Sequence, residues 1–125
     1  MARILLVDDN DSVRSLLVHL LRFEGHQVEP ARDGGQAMAR FADRSFDLVL
    51  MDVRLPRIDG LEICRKLRQE SQIPIVFFSV SPDPSIQEQA MRCGANAFLS
   101  KPMGFKRLLA WLRSTTRLVD FSLFA

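Results

Sequence analysis

Tyrosine is absent from this 125-residue chain, so no phenolic hydroxyl is available to it. Cysteine is scarce: Cys64 and Cys93 stand far apart, and neither belongs to a Cys-x-x-Cys or Cys/His cluster. That removes zinc and dithiol redox readings and leaves two buried, reduced thiols. The two histidines, His19 and His26, lack metal-ligand spacing and read as surface residues. No apolar run approaches the ~20 residues of a membrane helix. The opening run, Ile4 to Val7, is cut by two aspartates and serves neither as a signal-peptide core nor as a span, which points to the cytoplasm. Nor does one sign of charge dominate. With 17 Lys and Arg against 15 Asp and Glu, the net charge is +2 and the pI about 8.8, which does not mark a nucleic-acid binder.

What is present is a core. A hydrophobic content of 47% in 125 residues suits one compact domain, expected over residues 1–119, with 120–125 as an apolar tail or linker stub. Arg3 to Val7 reads as a buried strand. Val13, Leu16, Leu17, Leu20 and Leu21 then recur at helical spacing, with Asp11 or Ser12 as cap and Gly25 as closing residue. Gln27 to Ala31 is a strand whose Pro30 confines it to a sheet edge. Asp33 caps a second helix to about Ala42. Asp47 to Met51 is a strand without alternation, and a third helix after Gly60 carries Leu61, Cys64 and Leu67 on one face. Its Arg65, Lys66 and Arg68 read as a solvated face. Ile73 to Ser79 is the most apolar strand, followed by a helix closed by Gly94, a strand Asn96 to Leu99, and a last helix with Phe105, Leu108, Leu109, Leu112, Thr116 and Val119 on one stripe.

Five strand and helix alternations imply right-handed crossovers and a parallel sheet covered on both faces. The expected fold is α/β, a flavodoxin-like three-layer sandwich with a five-stranded sheet and five helices. Its order 2-1-3-4-5 is taken from doubly wound folds of that kind. Polar residues then collect at the carboxyl edge, where such sheets bind ligands. Asp8 and Asp9 follow the first strand, Asp52 the third, Ser79 ends the fourth and Lys101 follows the fifth. Three clustered carboxylates call for a hard cation among them, and a lysine beside them suits an incoming phosphoryl group.

In combination, Asp8-Asp9, Asp52, the loop Leu55-Pro56 to Asp59-Gly60, Ser79 and Lys101-Pro102 resemble the receiver domain of two-component response regulators, over nearly all of residues 3–118. The resemblance implies that Asp52 takes a phosphoryl group from the phosphohistidine of a histidine kinase or phosphotransfer protein, with Mg²⁺ held by Asp9, Asp52 and the Val53 carbonyl and by Asp8 through water. It further implies that Lys101 and Ser79 contact the phosphoryl group, that Phe98 is the switch aromatic coupled to Ser79, and that Lys101-Pro102 is a cis peptide. Output would pass through the last helix, strand and helix, a face also compatible with a homodimer; neither nucleic acid nor membrane is bound by this domain itself.

The chain departs from the family pattern at two places. Val80 stands where a small residue is usual, and Arg54 lies two residues after Asp52, positions from which they would slow water's attack on a phosphoryl group. Trp111 falls about 120° from the centre of the last helix's apolar stripe. An alternative is a phosphate-independent pseudo-receiver acting as an interaction module. A phosphohydrolase of the haloacid dehalogenase type needs a second acid where Arg54 stands. No separate substrate turnover is expected.

Overall fold

The computed structural model describes residues 2–79, 83–100, 106, 107, 109 and 110. Strand and helix alternate as β1 (Arg3–Val7), α1 (Asp11–Phe23), β2 (Gln27–Ala31), α2 (Gly34–Asp43), β3 (Leu48–Met51), α3 (Gly60–Arg68), β4 (Ile75–Ser79), α4 (Pro84–Arg92) and β5 (Ala97–Ser100). All strands are parallel, in the order β2-β1-β3-β4-β5. Of the expected fifth helix, Lys106, Arg107, Leu109 and Ala110 are described and helical. Val80, Lys101, Pro102, Trp111 and the tail 120–125 lie outside the described residues, and with them the expectation of a cis peptide.

Alternate residues of each central strand enter opposite cores, because side chains on a strand point to opposite faces. Leu5, Val7, Val49, Met51, Ile75 and Phe77 pack with Ala37, Ile63, Cys64, Leu67 and Ala90 from α2, α3 and α4. Ile4, Leu6, Leu48, Leu50, Val76 and Phe78 pack with Leu17 and Leu21 of α1, and Leu109 joins them. Both faces being covered explains why these strands carry no polar alternation. Only Leu17 and Leu21 of the apolar stripe on α1 are buried; Leu16 is 58% exposed. Gly25 and Gly94, at φ +92° and +103°, take the left-handed conformation that follows α1 and α4.

The outer flank of β2 is blocked in two ways. The Gln27 amide donates to the Ala2 carbonyl at 2.9 Å and the Ala31 carbonyl accepts the Asp8 amide at 3.0 Å, so the odd-numbered residues of β2 face β1. Val28 and Pro30 therefore present their backbone outward. Pro30 has no amide hydrogen to offer, and the Val28 carbonyl accepts a hydrogen bond from Arg22 at 3.0 Å.

Two polar residues that the sequence places in solvent are instead drawn into the fold, one buried and one half-buried. His26 is 9% exposed, and its Nδ1 accepts the Ala2 amide at 3.0 Å, joining the end of α1 to the start of β1. Arg68, half-buried, donates to the carbonyls of Gly94 at 2.9 Å, Ile73 at 2.6 Å and Ser71 at 3.3 Å, and to Asn96 Oδ1 at 2.8 Å. Such a fork satisfies carbonyls that no strand or helix partner reaches.

Candidate functional site

Because β1 and β3 are adjacent and Val7 pairs with Met51, the residues that follow them emerge side by side. The Asp52 amide donates to the Val7 carbonyl at 2.9 Å, carrying the ladder one residue past β3. Carboxylate oxygens of Asp8, Asp9 and Asp52 lie within 4.8 Å of one another. Asp8 is 2% exposed, whereas Asp9 faces solvent. Three hard oxygen donors so close together, one of them buried, form a set that fits a divalent cation.

Local hydrogen bonds shape each arm of this cluster. Asp8 Oδ1 accepts the Asn10 amide at 2.9 Å, and Asn10 Oδ1 accepts the Val13 amide at 2.9 Å. Asn10, not Asp11 or Ser12, is therefore the cap of α1; Asp11 already lies in the first turn. Arg14 reaches back from that turn to the Asp8 carbonyl at 2.8 Å and pairs with Asp11. Asp52 Oδ1 accepts the Arg54 amide at 3.1 Å, and Arg54 itself is exposed.

The loop after Asp52 folds tightly back upon the site. Arg57 has φ +68°, and the Ile58 amide donates to the Pro56 carbonyl at 2.8 Å, closing a γ-turn. Asp59 caps α3 by accepting the Glu62 amide at 2.9 Å. The Gly60 amide then donates to the Val53 carbonyl at 2.7 Å, so the oxygen expected to face a cation is already engaged with the start of α3. A β-carbon on Gly60 would lie 3.0 Å from the Phe77 ring.

Ser79 ends β4, one strand away from β3 at the same edge, and is fully buried. Phe98 is half-buried on β5 and packs on Phe77 with ring centroids 6.4 Å apart. The structure thus brings Asp8, Asp9 and Asp52 together, with Val53 beside them and Ser79 along the same edge. Asn10 and Arg14 were not singled out as site residues from sequence, and Gly60 entered only as the end of the loop motif after Asp52. The signals were there: an asparagine opens the first helical periodicity, and an arginine follows one turn later.

Comparisons with known proteins agree with this geometry. The family model of the response regulator receiver domain matches residues 4–113. Response regulator MprA of Mycobacterium sp. (strain KMS) is 40% identical over 116 residues, which cover 92% of this chain and 50% of the relative. The probable transcriptional regulator ycf27 of Porphyridium aerugineum is 36% identical over 118 residues, covering 94% and 49%. Among solved structures, the Vibrio cholerae chemotaxis protein CheY4 superposes with a TM-score of 0.83 at 33% identity, over 91% of this chain and 98% of that one. The chain spans about half the length of the curated relatives it matches. An acidic cluster beside the third strand, on a parallel sheet of this order and with these relatives, places the chain in the response regulator receiver domain family.

Proposed function

We propose that Asp52 is the phosphoacceptor of a two-component signalling pathway, receiving its phosphoryl group from the phosphohistidine of a sensor histidine kinase or phosphotransfer protein. The observation that carries this is the convergence of Asp8, Asp9 and Asp52 within 4.8 Å at the carboxyl edge of the sheet. A carboxylate oxygen of Asp52 attacks phosphorus, the P–N bond to the donor imidazole breaks, and that imidazole leaves with its electron pair, protonating as it goes. Asp9 and Asp52 would hold Mg²⁺ directly, with Asp8 through water. A backbone carbonyl of the same loop would complete the set; that of Val53 already accepts the Gly60 amide with one of its two lone pairs. Bound there, Mg²⁺ supplies positive charge against the phosphoryl oxygens.

Lys101 supplies the second positive charge and Ser79 a hydroxyl donor to a phosphoryl oxygen, and Phe98 reports the displacement through its packing on Phe77. With no tyrosine in the chain, that report is ring packing without a phenolic hydroxyl. The module works in the cytoplasm. Among the described residues no helix is long and apolar enough to cross a membrane. Its signal passes through the last helix, strand and helix to an output domain or partner.

The test is phosphorylation by a small-molecule phosphodonor with Mg²⁺, read by intact mass, together with beryllofluoride binding. The wild type gains one phosphoryl group and Asp52→Asn none. No adduct on the wild type would favour the phosphate-independent interaction module.

A further inference from the structure

Asp8 and Asp9 lie in a turn between β1 and α1, and a turn bearing two like charges beside a third is driven apart by their repulsion. The structure shows what opposes that. Arg14 is anchored on the first turns of α1, and its side chain is only 18% exposed. One terminal nitrogen donates to the Asp8 carbonyl at 2.8 Å while the other pairs with Asp11. The same turn is held from within by the Asn10 amide on Asp8 Oδ1. A planar guanidinium serves two acceptors at once in a fixed geometry, which a lysine ammonium on a flexible stem does not reproduce.

We propose that Arg14 is a positioning residue for the cation site: it fixes the Asp8-Asp9 turn so that its carboxylates stay within reach of Asp52. It acts through the backbone of Asp8 and touches neither metal nor phosphoryl group. The proposal rests on the metal-assisted phosphoacceptor reading above. Its sign separates it from plain electrostatics. Coulomb's law makes a guanidinium near a divalent cation repulsive, so a role by charge alone means that removing Arg14 tightens Mg²⁺ binding. A positioning role means that removing it loosens binding, as loss of a group that orients ligands does, by about 10- to 100-fold.

The experiment titrates Mg²⁺ calorimetrically into the unphosphorylated full chain. It compares wild type, Arg14→Met, which keeps the apolar stem, Arg14→Lys, which keeps the charge, and Asp9→Asn as the site control. Urea unfolding of each runs in parallel. The expected result is Mg²⁺ affinity weakened about 10-fold or more in Arg14→Met and partly restored in Arg14→Lys. Unchanged or tighter binding in Arg14→Met overturns the proposal. Should Arg14→Met fail to fold, Arg14→Lys decides: wild-type affinity there overturns it, and weakened affinity in a folded protein supports it. If wild-type protein binds no Mg²⁺, the reading beneath fails instead, and amide exchange at Asn10 decides on Arg14. Faster exchange in a folded Arg14 variant supports the clamp, and wild-type exchange refutes it.

Discussion

Gly60 sits against the backbone of Asp52 so closely that a β-carbon on it would lie 2.3 Å from the Asp52 carbonyl oxygen and 3.0 Å from the Val53 Cα. The neighbour is backbone, which cannot swing away as a side chain can. The first residue of α3 therefore has to be glycine for reasons of space, not of backbone angle. Its own amide pins Val53 from the same position.

Gly60→Ala is expected to push β3's end and the start of α3 apart. The cost should be about 1–3 kcal/mol, the range for forcing extra volume into a packed site. Urea unfolding measures the loss, and phosphoryl uptake at Asp52 should fall with it. A variant with wild-type stability and uptake would mean that α3 shifts freely.

Arg68→Ala should destabilise by about 3 kcal/mol, since it leaves several half-buried carbonyls without a charged donor. Arg68→Lys should recover less than half, because one ammonium cannot span Gly94, Ile73 and Asn96 together. Denaturant midpoints of the two variants give both numbers.

Burial holds the His26 imidazole below its ordinary pKa of 6.5, and Nδ1 accepts a backbone amide that only the neutral ring can receive. The folded state thus binds its proton less readily than the unfolded chain does. The stability this contributes is complete above pH 6.5 and declines as the pH falls from there through the lowered native value. His26→Asn should flatten the stability profile between pH 7.5 and 5, near neutral and mildly acidic conditions spanning that ~6.5 reference. A parallel decline in both proteins would remove His26 from the acid response.

Burial raises the Cys64 thiol to a pKa of about 11, and its sulfur donates to the Cys93 carbonyl at 3.4 Å. Cys93 is only half-buried. A thiol reagent at pH ~8, near the ordinary cysteine pKa, should modify Cys93 in the native protein and Cys64 only after unfolding. Peptide mass mapping of the modified cysteine settles the order, and early labelling of Cys64 would contradict it.

Arg54 is exposed beside the Asp52 carboxylate, whose Oδ1 its amide holds. Arg54→Ala is expected to shorten the life of the phosphorylated state, measured as loss of the adduct with time in Mg²⁺. An unaltered rate would assign the side chain no part in shielding the phosphoryl group from water.

The parallel sheet, Pro30's place on an edge and the helix-closing glycines could be read from sequence because each rests on a local rule: alternation of strand and helix, a missing amide donor, a permissive φ. The strand order rests on no such rule and came by analogy with doubly wound folds. The acidic cluster could be read because all three aspartates end apolar runs, and strand ends in a parallel sheet share one edge. The roles of Arg68 and His26 could not. Arg68's acceptors lie up to 28 residues away, and composition makes any arginine on an amphipathic helix look solvated. His26 is covered by the start of β1, a contact set by the β1–β2 register. Gly60's tight approach likewise depends on how the loop after β3 closes, through an arginine at φ +68° that no propensity favours.

The seal on β2 gives the sheet a direction. With Pro30 lacking a donor and Arg22 occupying the Val28 carbonyl, a strand from another chain finds no continuous ladder on that flank. No proline interrupts Ala97–Ser100 at the opposite flank, so β5, which pairs with β4 on its inner side, has an amide hydrogen on every residue. Strand addition is therefore disfavoured at β2, and the two flanks of the sheet are unequal in what they offer another chain.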